Sequence, residues 1–153
     1  MNKQEICWTV ARWIFGLFFL GTGVMIWAHV LTGIGAAPVQ PTARAQAFTD
    51  ALTATGFMDP MVGSSYVSGG GALLAKRTSP LGLVLLGPSI VVILVFHLTL
   101  TGQIIWGPFV AAWFAAITWR FREPLLGLVG YSRTIAVDSS IASDLERGAA
   151  EAI

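Results

Sequence analysis

The chain has 153 residues, 55% hydrophobic and 11% charged, with a formal net charge of +1. A water-soluble domain carries about a quarter charged residues, so this composition excludes a surface solvated on all sides. The single cysteine, Cys7, excludes an internal disulfide and any CxxC redox centre.

The apolar residues lie in blocks long enough to cross a bilayer. The first runs from about residue 8 to 31 (WTVARWIFGLFFLGTGVMIWAHVL). It is too long for a cleavable signal peptide, and further apolar blocks follow it. Gly16 and Gly23 fall on one face of it as helix-packing positions. Arg12 lies one turn inside and is expected to snorkel to the headgroups. Residues 32–59 form an external loop in which 41–55 reads as a short amphipathic helix with Ala45, Phe48 and Leu52 on one face. Gly56 is its expected C-terminal cap, with Phe57 folding back towards Leu52.

The second block, about 60–75, is rich in Gly and Ser and makes sense only when enclosed by neighbours. Ser65 with Gly69, and Ser64 with Ser68, form its small-residue rows, and Tyr66 is a phenol near mid-depth. Ser79 and Pro80 then start a third block, about 80–100. The linker before it is so short that blocks two and three must be antiparallel neighbours. Pro88 removes a backbone donor inside this block and frees the carbonyl of Val84, with Ser89 adjacent to re-satisfy it, so a helix kink is expected there. The fourth block, about 103–119, carries a row Gly107, Ala111, Ala115 and a proline, Pro108, that bends it only slightly. Arg120, Arg122 and Glu123 close it. The expected fold class is therefore all-α: an integral membrane four-helix bundle over residues 1–131, a short amphipathic helix between helices one and two, and a polar tail over 132–153.

Charge placement orients this arrangement. With both termini inside, the cytoplasmic face holds Lys3, Arg12, Lys76, Arg77, Arg120, Arg122, Arg133 and Arg147, and the opposite face holds only Arg44. That is the positive-inside pattern.

In this orientation His29, His97, Asp59, Trp27 and Trp106 gather at the outward mouth with Met58 and Met61. Two readings stand. In one, the mouth with Tyr66 below it contacts a quinone headgroup, a metal or a small redox-active ligand, with histidine as hydrogen-bond partner or ligand. In the other, these residues anchor helix ends at headgroup depth. No metal-ligand spacing is met, and no GxGxxG, P-loop, CxxCH, HExxH or GxSxG motif occurs. The expectation is no catalytic residue, no metal and no cofactor of the chain's own.

The stretch GGGALLAKRTSPLGLVLLGPSIVVILVFHL resembles the central signature of the DoxX-like membrane proteins. There a glycine-rich second helix, a basic turn, a Pro-Leu start and a Pro-containing third helix ending in Phe-His follow in that order. ARWIFGLFFLGTGV is similar to the family's first helix and AAITWRFREPLLGL to its fourth-helix end, so the resemblance spans roughly residues 8 to 127. It implies a compact four-helix bundle of the bacterial inner membrane, termini cytoplasmic, and it carries over Pro88 and His97. It does not carry over the second-helix glutamate of many relatives, since Tyr66 stands near that place, nor the third-helix asparagine, where Val92 stands. The expected function is an accessory subunit of a larger redox, respiratory or photosynthetic membrane complex, acting by helix packing, with the bilayer and partner subunits as its contacts and no nucleic acid. The alternative is a quinone-interacting subunit similar to that of thiosulfate:quinone oxidoreductase. A small-solute transporter is a weaker third, for which a polar path at mid-depth is missing.

Overall fold

The first apolar block folds as one helix, α1, Lys3–Thr32, of 30 residues. At 1.5 Å per residue it is about 45 Å long, more than the thickness of a hydrocarbon core. The computed structural model describes residues 3–34 and 39–127, and over these every regular element is helical. After α1 come α2, Ala43–Ala54; α3, Met58–Leu74; α4, Ser79–Phe96; a π-helical turn, His97–Thr101; and α5, Trp106–Arg120. Two helical stretches, Lys3–Thr32 and Ser79–Thr101, are long and apolar enough to cross a membrane. The chain divides into two compact units, Met1–Trp119 and Arg120–Ile153. In the second, residues 122–127 are helical, and the expected polar tail over 132–153 lies outside the described residues.

Prolines set three of the helix starts. Pro60, Pro80 and Pro108 each fall in the first turn of α3, α4 and α5, where the missing N–H has no intrahelical partner to lose. Pro108 therefore marks where α5 begins rather than bending it. Residues 103–105 stay outside the helix because Gly102, at φ +69, ends the π turn in the left-handed region. Pro88 alone is interior. Beside it, the hydroxyl of Ser65 on α3 donates to the carbonyl of Leu85 at 3.1 Å. That carbonyl lies one residue past Val84, whose own helical donor Pro88 removes.

Glycines let the backbones of α1, α3 and α4 touch. A Cβ on Gly23 would stand 2.8 Å from Val67 N and 2.9 Å from Gly63 O, and one on Gly16 would stand 3.0 Å from Gly70 O. On the other face of α3, a Cβ on Gly82 would meet Gly69 O at 2.7 Å. α3 is thus a small-residue slat clasped between two apolar helices that each run antiparallel to it.

Around that slat, Phe15, Phe19, Leu73, Leu86 and Ile90 are buried. Phe15 packs its ring edge against Trp113 at 5.5 Å and also meets Phe114, which brings α5 alongside α1. α5 buries Gly107, Val110 and Ile117. Of the expected row on this helix, Gly107 is buried, Ala111 half-buried and Ala115 exposed.

The amphipathic helix runs as α2 with Thr42 as its N-cap. Thr42 Oγ1 accepts from Ala45 N at 3.2 Å and donates to Leu100 O in the π turn. Ala45 is fully buried, and Phe48 lies against Phe96 at 5.7 Å. Gly56, at φ +74, follows the C-cap, while Phe57 is exposed and immediately precedes α3.

Candidate functional site

The residues expected at the outward mouth are distributed over separate contacts. Trp27, near the end of α1, lays its indole over Gly63 of α3; a Cβ there would stand 3.1 Å from Trp27 Cδ1. His29, one turn from the end of α1, is half-buried. Its Nδ1 is the only buried side-chain polar atom without a hydrogen-bond partner among the described residues. Asp59 is half-buried in the first turn of α3, where a carboxylate suits the positive end of the helix dipole.

His97 opens the π turn. Its Nδ1 pairs with the carbonyl of Ile93 at 2.8 Å, and its ring meets Phe96 edge-on. Gly107 makes room for it, since a Cβ there would stand 2.7 Å from His97 Cβ. The wide turn suits residues that satisfy their own backbone: Thr99 donates to Val95 O at 2.7 Å and Thr101 to His97 O at 3.1 Å. The imidazole is thus engaged in shaping a turn on which α2 docks.

Trp106 stacks on Phe109 at 6.0 Å and meets Phe18 edge-on at 6.2 Å. With Phe15 and Trp113 these rings line a shallow, wholly apolar cleft of about 70 Å³ between α1 and α5. Tyr66 is buried against the face of Phe19, 5.0 Å away and nearly perpendicular. Of the six, Trp27 and Tyr66 belong to the contact of α1 with α3, His97 to that of the π turn with α5, and Trp106 to that of α1 with α5. Among the described residues, no three of His, Cys, Asp and Glu form a group able to hold a metal ion.

The best-connected polar centre lies elsewhere, in the contact of α1 with the α3–α4 turn. Arg12 is 6% exposed, so it does not snorkel as its position near the helix start suggested. Its Nη1 donates to Leu73 O at 2.8 Å and to Ser79 Oγ at 2.5 Å. Ser79, itself fully buried, donates on to Ala75 O at 2.8 Å. Leu73 O is one of the last-turn carbonyls of α3, which has no following turn to pair with, and a cation there also suits the negative end of the helix dipole. Three sequence features pointed here without being combined: an arginine inside an apolar block, a serine before a proline, and a turn too short to satisfy its own carbonyls.

Comparison of the chain with protein-family models, with curated proteins and with solved structures finds no match to any of them.

Proposed function

We propose that this protein is a four-helix integral membrane protein of the bacterial inner membrane, DoxX-like in arrangement, that acts as an accessory subunit of a larger membrane complex. α1, α3, α4 with its π turn, and α5 are the four spans, and α2 lies at the outer surface. One observation carries the reading. The polar side chains within the helices hold backbone carbonyls: Arg12 on Leu73, Ser65 on Leu85 and His97 on Ile93. Groups so engaged supply structure, and what faces outward is apolar. Met25 is 74% exposed and Val91 60%, and Leu81, Val84, Val92 and Val95 follow on α4. Apolar side chains on this scale face lipid or partner helices.

A second reading, a quinone-contacting subunit, has one observation in its favour. The buried, unpartnered Nδ1 of His29 sits two residues from Trp27 near the end of α1. The two readings separate on the isolated protein. Purified in mild detergent, it should carry no stoichiometric quinone by extraction and chromatography, and His29→Ala and His97→Ala should leave complex assembly intact. Bound quinone that is lost on either substitution would replace the accessory role with the quinone site.

A further inference from the structure

We infer that the junction of α1 with the α3–α4 turn binds a phosphate oxyanion, the headgroup of an anionic phospholipid. The inference rests on the membrane reading for its lipid and on the geometry of Arg12 for its site.

A guanidinium presents five N–H donors. Both hydrogen bonds of Arg12 leave from Nη1, so Nε and Nη2 have no acceptor among the described residues. Neither nitrogen is fully enclosed, because His29 Nδ1 is the only buried side-chain polar atom there that lacks a partner. A side chain buried over nine-tenths of its surface thus keeps three N–H donors that no acceptor among the described residues takes.

Among the described residues, the surroundings of Arg12 are short of negative charge. Its Nη1 reaches the first residue of α4, at the end where the helix dipole is itself positive. No side chain caps that end. The Thr78 hydroxyl turns back to Ala72 O at 2.7 Å and that of Ser79 to Ala75 O at 2.8 Å, both on the preceding chain. Lys76 and Arg77, exposed in the turn, add two further cations, and no Asp or Glu lies between Asp59 and Glu123. On α1 the nearest acid is Glu5, exposed and nearly two turns before Arg12. The carbonyl of Leu73 offsets only part of this. A buried cation facing a helix N-terminus, with two more cations beside it, calls for an anion. At the Lys- and Arg-rich end of the spans, headgroup phosphates supply one.

The test uses the full chain, purified in mild detergent and stripped of lipid, with native mass spectrometry and the thermal unfolding midpoint as readouts. Phosphatidylglycerol should bind about tenfold more tightly than phosphatidylcholine and raise the midpoint, as charge-assisted hydrogen bonds require. Arg12→Gln should lose about tenfold in that affinity. Arg12→Lys should recover only part, since it keeps the charge but loses the fork. The double variant Lys76→Gln with Arg77→Gln, exposed positions that leave the fold alone, should lose about threefold of that preference and flatten the salt dependence. Equal affinity for the two lipids, or no change in the double variant, overturns the inference. A midpoint raised by inorganic phosphate and not by phosphatidylglycerol overturns the lipid assignment. A chain released from membranes by alkaline carbonate would instead overturn the membrane reading, independently of the binding result.

Discussion

Gly70→Ala is a sharp test of the claim that α1 and α3 touch backbone to backbone. A Cβ at this position would stand 2.6 Å from Leu20 N and 2.7 Å from Gly16 O. Both obstacles are backbone, so no side chain can swing away. Reaching 3.4 Å, where ordinary contact begins, requires the helices to part by about 0.8 Å, a gap that forfeits roughly a third of the dispersion attraction along the seam. Overpacking of this kind costs about 1–3 kcal/mol, and rigid neighbours place it in the upper part of that range. Alanine returns about 1 kcal/mol of helix propensity. The net expectation is a loss of about 1–2 kcal/mol. Gly71 is the control, one residue along the same helix with nothing within 4 Å of its would-be Cβ. Gly71→Ala keeps the propensity gain without the clash, so it should stabilise by about 0.5–1 kcal/mol. Unfolding by titration with a denaturing detergent, followed by circular dichroism, measures both. Equal midpoints for the two variants would refute the close approach of α1 and α3.

Other positions carry expectations of their own. Arg12→Ala removes the donor from two buried acceptors and should cost about 2–4 kcal/mol by the same unfolding assay, whereas an arginine that bonded no protein carbonyl or hydroxyl would cost little. Phe19→Ala empties a site only 1% exposed in the core and should cost about 3–5 kcal/mol. Thr42→Ala removes the α2 cap and its bond to Leu100 O. It should cost about 1 kcal/mol, read as faster proteolysis within residues 39–56 in the intact protein. Cys7 is exposed near the start of α1, so the proposed topology predicts that an impermeant maleimide labels it in inverted vesicles and not in intact spheroplasts.

Much of the fold was legible in the sequence because prolines and glycines punctuate it. Pro60 and Pro80 marked helix starts through their missing N–H, Gly56 marked the end of α2, and of the expected face Ala45, Phe48 and Leu52 the structure buries Ala45, half-buries Leu52 and leaves Phe48 exposed beside Phe96. Block lengths marked the two long apolar helices. The partners of a buried polar group were less legible. Arg12 near a helix start reads from sequence as a cation reaching water, and only the arrival of Leu73 O and Ser79 beside it makes burial affordable. The π turn was equally hidden, since VFHLTLT has the composition of any apolar helix end. It becomes visible when Thr42, fifty-eight positions away, caps one helix and binds the carbonyl of Leu100 on another. The mouth residues were identified from shared depth alone. Depth does not fix which way a helix is turned, so Trp27, His97 and Trp106 each belong to a different helix contact.

The central claim is that this chain works as a packed subunit of a membrane assembly. The most direct measurement is affinity purification of the tagged full-length protein from membranes in mild detergent, with quantitative mass spectrometry and an absorption spectrum of the eluate. The account predicts co-purifying membrane subunits in fixed stoichiometry, with any chromophore carried by those partners. A lone protein that carries quinone or metal of its own would contradict it, and would move function to His29 and the outer end of α1.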